Sequence, residues 1–149
     1  MNFVEKLSEK LEREEGCELF PYRCPDVEGG GGNKLSIGIG RNLEERGITR
    51  DEALFLLATD IEVVQQELSA NLSFYDDAPE FVKLVLCDLC FNIGITKLLK
   101  FKNMLAALES GDMGQAAHEL LDSLLCRQLP ARTQRNAELL IQEIGRAHV

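Results

Sequence analysis

The chain has 149 residues, of which 45% are hydrophobic and 28% are charged, so it is long enough for one globular domain or for two small lobes. Its formal net charge is −9, and no basic patch is concentrated enough to indicate nucleic-acid binding. No segment approaches the roughly 18 consecutive apolar residues that a membrane span requires, so we expect no stable insertion into a membrane.

The first 15 residues are predicted to form an amphipathic helix. Phe3, Leu7 and Leu11 recur every four residues and give one apolar stripe, and Gly16 is expected to end the helix. The segment is acidic and lacks the basic start and apolar centre of a secretion signal. We therefore expect no cleaved signal peptide.

Glu15 is then placed at the C-terminal end of this helix. The helix dipole disfavours a negative charge there, so a carboxyl group at that end holds a proton more readily, as a catalytic acid must. The alternative is an ordinary exposed glutamate, because Glu12 and Glu14 are close by and equally acidic.

Residues 17–47 are predicted to form turns and strands. Pro21 and Pro25 exclude a helix, and four consecutive glycines at 29–32 indicate a loop. The run Leu35–Gly40 alternates large apolar residues with serine and glycine, which predicts a strand with one nearly bare face. Such a face lets a substrate or another backbone approach closely. A glycine-rich phosphate loop is rejected, because the G-x-x-x-x-G-K-S/T pattern is absent and the glycines do not lead into a helix.

The remainder of the chain is predicted to be helical. Thr49 and Glu52 form a capping box that begins a helix of about 20 residues, acidic except for a narrow apolar stripe and long enough to bridge two lobes. Asp77 is expected to cap the next helix, which is apolar almost all round and is predicted to be the centre of a helical lobe. Two short amphipathic helices follow, and Pro130 is expected to begin the last helix, through about Ile144.

The five cysteines are an odd number, which favours reduced thiols over a disulfide framework. Cys87 and Cys90 form a C-x-x-C inside an apolar helical run, with no second cysteine or histidine pair at ligand spacing. We interpret them as small buried hydrophobic residues rather than a metal or redox site.

Three motifs occur in order along this framework: Glu15-Gly16-x-x-Leu19-x-x-Tyr22 followed by Ser36-Ile37-Gly38-x-Gly40; Phe91-Asn92-Ile93-Gly94 followed by Lys100-Phe101; and Ser123, Gln128, Pro130 and Arg132. Together they resemble the phage-type lysozymes, the endolysins of glycoside hydrolase family 24, over nearly the whole chain. The resemblance implies an α+β, mainly helical, lysozyme-like fold. A single domain of residues 1–149 would comprise a β-lobe at about 14–48, a linking helix at about 49–70, and a helical lobe at about 77–149 that includes the N-terminal helix.

The resemblance also implies roles for particular residues. Glu15 matches the catalytic general acid, Ser36 matches a residue that places the attacking water, and Arg132 matches an arginine that pairs with the catalytic glutamate. The family's second carboxylate position is occupied by Cys24, and Asp26 lies two residues further on. Either residue is a candidate for the second catalytic group. The alignment favours Cys24 slightly.

Three further residues are implied to bind substrate or to support the site: Tyr22, Arg41 and Phe91. Arg41 stands where many relatives have histidine. Arg132 lies in the first turn of a helix, where a cation gains nothing from the dipole, so an anionic partner is one interpretation and an ordinary surface arginine is the other.

The implied function is that of a muramidase that hydrolyses the β-1,4 bond between N-acetylmuramic acid and N-acetylglucosamine in bacterial peptidoglycan and so leads to cell lysis. No metal or organic cofactor is expected. We expect a monomer that resides in the host bacterial cytoplasm before release to the cell wall. Its acidic charge gives no electrostatic attraction to an anionic wall.

Two other function classes compete with this one. A catalytically degenerate lysozyme fold that binds glycan or a partner protein remains open, because Cys24 replaces the second carboxylate. A Cys-His hydrolase is rejected, because the chain has only His118 and His148 and neither is placed to act as a base for Cys24.

Overall fold

A computed structural model describes residues 1–25 and 32–147, with side chains described as far as residue 142. Asp26 and most of the glycine loop lie outside the described residues. By its internal contacts the chain divides into two units, Met1–Phe55 and Leu56–Val149. The boundaries predicted for a β-lobe, a linking helix and a helical lobe stay predictions.

The first unit contains helix α1 (Phe3–Glu15) and a three-stranded antiparallel sheet in the order β1-β2-β3. The strands are β1 (Glu18–Arg23), β2 (Leu35–Gly38) and β3 (Arg41–Asn42). Gly16 ends α1 as predicted, with a positive φ of 73° that suits glycine. The predicted strand over 35–40 is shorter than expected. Gly38 and Gly40 both adopt positive φ, so the chain turns there and returns as β3.

Helix α2 (Arg50–Asn71) begins at the predicted capping box. The Glu52 carboxylate accepts a hydrogen bond from the Thr49 backbone nitrogen at 2.8 Å, and the Thr49 hydroxyl accepts one from the Glu52 nitrogen at 3.2 Å. Of the apolar stripe expected along this helix, only Val64 and Leu68 are buried. The boundary between the two units falls within α2, after Phe55.

The second unit is helical in its described part. After α2 come α3 (Glu80–Ile93), α4 (Ile95–Leu98), α5 (Lys102–Ser110), α6 (Met113–Leu121), α7 (Leu124–Gln128) and α8 (Pro130–Ala147). Its core is built on apolar side chains of α3, α5, α6 and α8 that are almost fully removed from water, among them Leu86, Met104, Leu120 and Leu140. Helix α3, predicted to be the centre of the lobe, contributes five buried residues to this core (Val82, Val85, Leu86, Leu89 and Cys90), but its Leu84 and Phe91 are exposed.

The predicted first residues and N-caps of the helices are mostly correct in this unit. The Asp112 carboxylate caps α6 by accepting a hydrogen bond from the Gln115 backbone nitrogen, and Pro130 is the first residue of α8. The predicted cap at Asp77 is wrong, because Pro79 occupies the N-cap position of α3 without a side-chain hydrogen bond. The mainly helical α+β class is confirmed. Within the described residues, no helix combines the length and apolar character needed to cross a membrane.

Candidate functional site

Cys24 and Ser36 are brought together by the hairpin of β1 and β2. Tyr22 is the direct cross-strand partner of Ser36, and the backbone of Cys24 continues the ladder through hydrogen bonds with Lys34 and Asn33. The Cys24 Sγ lies 3.3 Å from the Ser36 Oγ, within hydrogen-bond distance for sulfur. Ser36 is only 2% exposed, whereas Cys24 is half-buried. The thiol is therefore the more accessible of the two groups.

The Glu15 carboxyl group lies against the turn that joins β2 to β3. A Cβ added to Gly40 would meet the Glu15 Oε2 at 3.2 Å and its Cδ at 3.3 Å, closer than an ordinary van der Waals contact. Gly40 also has a φ of 67°, a conformation that side-chain-bearing residues rarely adopt. Glycine at this position therefore permits both the backbone conformation of the turn and the close approach of the Glu15 carboxyl group. Glu15 itself is exposed.

The Tyr22 hydroxyl is affected by the charges of both Glu15 and Cys24. Partial burial raises the pKa of the Tyr22 hydroxyl, and the negative charges of Cys24, Glu15 and Glu18 raise it further. Glu15 and Cys24 are thus each close enough to Tyr22 for their charge to affect its hydroxyl, and Ser36 lies within hydrogen-bond distance of the thiol. A carboxyl group can donate a proton, and a thiol paired with a hydroxyl can hold a water molecule.

Arg41 is held in an ion pair rather than left free. Its Nη2 lies 2.6 Å from the Glu52 Oε1, and its Nη1 donates to the Glu52 Oε2 and to the Gly47 carbonyl oxygen, both at 3.1 Å. The hydrogen bond from Arg41, followed by that from the Thr49 backbone, holds the pKa of the Glu52 carboxyl below its usual value. Arg41 is thus bound to the first turn of α2 through Glu52 and to the Gly47 carbonyl oxygen, and its predicted role toward substrate stays a prediction.

In the second unit, Arg132 pairs with Asp88. Its Nε and Nη2 both donate to the Asp88 carboxylate, at 3.0 and 2.9 Å, and the Asn136 Nδ2 donates to the same carboxylate at 2.7 Å. Sequence reasoning missed Asp88, although an acidic residue within the apolar run of α3 is a signal that it needs a partner. The pairing of Arg132 with Glu15, a residue of the first unit, stays a prediction.

Phe91 lies on a largely apolar cavity of about 430 Å³ within the second unit, and its side chain is 48% exposed. The Asp88–Arg132 pair and Asn136 form the polar part of the lining. The apolar part comes from α2, α3 and α8, chiefly Leu57, Ile61, Val64, Leu84, Phe91 and Leu139. The predicted substrate contact of Phe91 stays a prediction.

The Asp88 pair predicts a pH-dependent stability of the second unit. Burial raises the pKa of Asp88, but the hydrogen bonds from Arg132 and Asn136 and the charges of Arg132 and Arg135 outweigh it and lower the pKa. Because the folded-state pKa is lowered, the pair stabilises the unit fully above about pH 4, and this contribution is lost as the pH falls through the lowered value. We expect Asp88→Asn to remove a pH-dependent term of about 1 kcal/mol or less, given its exposure.

The free energy of unfolding is measured by urea unfolding, followed by circular dichroism, at several pH values between about 2 and 6. Asp60→Asn is the matched control, because Asp60 is exposed on α2. Equal pH dependence in wild type and Asp88→Asn would contradict the prediction.

Of the C-x-x-C pair predicted to be buried, only Cys90 is fully so. All five cysteines are free, and Cys90 is buried with its pKa raised to about 11, first by burial and then by the nearby Glu67. Cys87 is half-buried, with its sulfur 3.2 Å from the Tyr75 hydroxyl. Across the described part of the chain, no group of three or more His, Cys, Asp and Glu side chains is arranged to hold a metal ion.

The profile of a family described as phage lysozyme matches residues 12–136, a range that includes the hairpin, α2 and the first turns of α8. A protein of Dictyostelium discoideum described as "Probable T4-type lysozyme 1" is 26% identical over 161 aligned residues, which cover 89% of this chain and 91% of that protein.

Proposed function

Because the chain belongs to the phage lysozyme family, we propose that it is an endolysin that hydrolyses the β-1,4 bond between N-acetylmuramic acid and N-acetylglucosamine in bacterial peptidoglycan. The observation that carries the proposal is the Glu15 carboxyl group, which is exposed, lies against the Gly40 turn and is close enough to Tyr22 for its charge to affect the tyrosine hydroxyl. Glycoside hydrolysis uses one carboxyl group as the acid and a second group that activates water, and Cys24 and Asp26 are the candidates for the second role.

In the proposed reaction, protonated Glu15 donates its proton to the oxygen of the leaving sugar. A water molecule held near Ser36 attacks the anomeric carbon from the opposite face, and its proton passes to a thiolate at Cys24 or to the carboxylate of Asp26. The bond to the leaving oxygen breaks as the new bond to water forms, so the configuration at the anomeric carbon inverts. Tyr22 flanks this site. Roles for Phe91 and for Arg132, as partner of Glu15, are carried over from the resemblance.

We propose the cellular setting on the same basis. The protein is made in the cytoplasm of a host bacterium, acts as a monomer, and causes lysis once it is released to the cell wall. The acidic net charge of −9 gives no long-range attraction to an anionic wall, so cleavage is expected to depend on ionic strength.

The test is turbidity loss of purified peptidoglycan with wild type, Cys24→Ser and Asp26→Asn, together with analysis of the released fragments. New reducing ends at N-acetylmuramic acid, first formed as the inverted anomer, would support the proposed bond and stereochemistry. Anhydro sugars would indicate transglycosylation instead. Loss of cleavage in only one of the two variants would identify the second catalytic group.

The second candidate function is that of a degenerate lysozyme that binds glycan without cutting it. It is favoured by one observation, the thiol of Cys24 where the family's second carboxylate is expected. Sedimentation of wild type with peptidoglycan, without any new reducing end at any ionic strength, would support this function and overturn the proposed hydrolysis.

A further inference from the structure

The carboxylate of Glu52 both caps helix α2 and pairs with the Arg41 side chain. Its Oε2 accepts the hydrogen bond from the Thr49 nitrogen that caps α2, and both of its oxygens accept from the Arg41 guanidinium. The Arg41 side chain is 24% exposed and that of Glu52 is 39% exposed, so the pair is partly shielded from water. A two-point pair of this kind fixes direction as well as distance.

The contact matters because of where Arg41 sits in the chain. Arg41 directly follows Gly40, whose backbone lies against the Glu15 carboxyl group, and it pairs with Ile37 in the ladder between β2 and β3. Gly38 and Gly40 supply positive-φ conformations but no side chains that could anchor the turn. Arg41 is the first residue after the turn, and its side chain is anchored by hydrogen bonds to Glu52 in the first turn of α2 and to the Gly47 carbonyl oxygen.

We propose that Glu52 is a positioning residue for glycan cleavage, which through Arg41 holds the Gly38–Gly40 turn in place against the Glu15 carboxyl group. The proposal rests on the function proposed above. Glu52 lies at the opposite end of the ion pair from the turn and acts through Arg41. A shift of about 1 Å in a catalytic group reduces a rate by as much as about 100-fold, so loosening the turn has a measurable cost.

The competing explanation is that the pair is only structural. An exposed ion pair contributes about 0–1 kcal/mol to stability, and its loss would then change the unfolding midpoint slightly and leave turnover unchanged. The chemistry of Glu52 allows the two explanations to be separated. Glutamine also completes a capping box, so Glu52→Gln keeps the cap of α2 while it removes the charge and one acceptor from Arg41.

The experiment compares kcat and KM for peptidoglycan cleavage by wild type, Glu52→Gln and Arg41→Lys. Lysine keeps the charge of Arg41 but cannot make the two-point contact. Glu45→Gln is the matched control, because Glu45 also forms an ion pair in this unit, but with Lys34 at 3.4 Å instead of with Arg41. We expect kcat to fall about 10-fold in Glu52→Gln and in Arg41→Lys, with KM changed less than about 3-fold. We expect Glu45→Gln to match wild type.

A second measurement does not depend on catalysis. Amide hydrogen exchange is followed at residues 38–42, and the ¹³C chemical shift of the Glu15 carboxyl group is recorded at a fixed pH. We expect exchange to accelerate and the Glu15 resonance to move in Glu52→Gln but not in Glu45→Gln. If wild type cleaves no glycan, the proposed function fails, and this measurement still decides the positioning role. Unchanged exchange and an unchanged Glu15 resonance in Glu52→Gln would overturn the inference, as would an unchanged kcat in an active enzyme.

Discussion

Glutamine in place of Glu15 is expected to lower the rate of glycan cleavage by about 10²–10⁴-fold, the usual contribution of a general acid. Glutamine has the same size and keeps the hydrogen-bonding shape of the side chain, but it has no proton to give to the leaving oxygen. Because Glu15 is exposed at the end of α1, the free energy of unfolding is expected to change by less than about 0.5 kcal/mol. Turnover on purified peptidoglycan and a thermal unfolding midpoint for each variant measure both effects.

Glu14→Gln is the matched control for this substitution. Glu14 precedes Glu15, is exposed, and forms an ion pair with Lys10 at 3.3 Å, so the same change of charge is made one residue away. We expect Glu14→Gln to cleave at the wild-type rate. Full activity in Glu15→Gln would show that Glu15 is not the general acid, and equal losses in both variants would show that the effect is one of charge alone.

The parts of the fold that could be predicted from sequence are those fixed by nearby residues. Gly16 ends α1, Thr49 and Glu52 begin α2, Asp112 begins α6, and Pro130 begins α8, as expected. Each of these signals acts over three or four residues, because a cap joins a side chain to a backbone group in the adjacent turn. The mainly helical α+β class, implied by the family resemblance and consistent with these local patterns, is confirmed by the structure.

Other features of the fold could not be read from local patterns. The strand predicted over 35–40 ends at Gly38, because alternation describes the side chains but not the positive φ that glycine permits. Helices α4 and α7 have four and five residues, too few for a hydrophobic period to be recognised. The cap expected at Asp77 failed because Pro79, with its fixed φ, takes the N-cap position itself.

Some features of the candidate site could likewise be predicted from the sequence, and others could not. The sequence indicated strands around the motif residues Tyr22 and Ser36, and the structure adds that these two residues are direct partners on neighbouring strands of one hairpin. The contacts of Arg41 with Glu52 and of Arg132 with Asp88 were not predicted, since these partners are 11 and 44 residues apart in the sequence. Periodicity gives the face on which a residue lies, but not which distant side chain it meets. Asp26, outside the described residues, keeps its predicted role as an alternative to Cys24.

The second large effect is expected at Gly40. An alanine methyl group there would lie 3.2 Å from the Glu15 Oε2, so either the carboxyl group or the turn must move by several tenths of an ångström. The φ of 67° also disfavours alanine, at a cost of about 1–2 kcal/mol. We expect Gly40→Ala to reduce kcat by about 10–100-fold through displacement of Glu15, in addition to its loss of stability. The measurements are kcat and KM on purified peptidoglycan, with urea unfolding of the same samples.

Gly38→Ala separates the two causes. Gly38 has nearly the same φ, 69°, but an added Cβ would have no atom within 4 Å, so this variant carries the backbone strain without the contact to Glu15. Both variants are expected to lose a similar amount of stability, and Gly40→Ala is expected to lose far more of its kcat. If the two lose kcat equally, strain in the turn accounts for the effect and the contact between Gly40 and Glu15 has no part in catalysis. A larger loss in Gly40→Ala would mean that the turn sets the position of the proton donor.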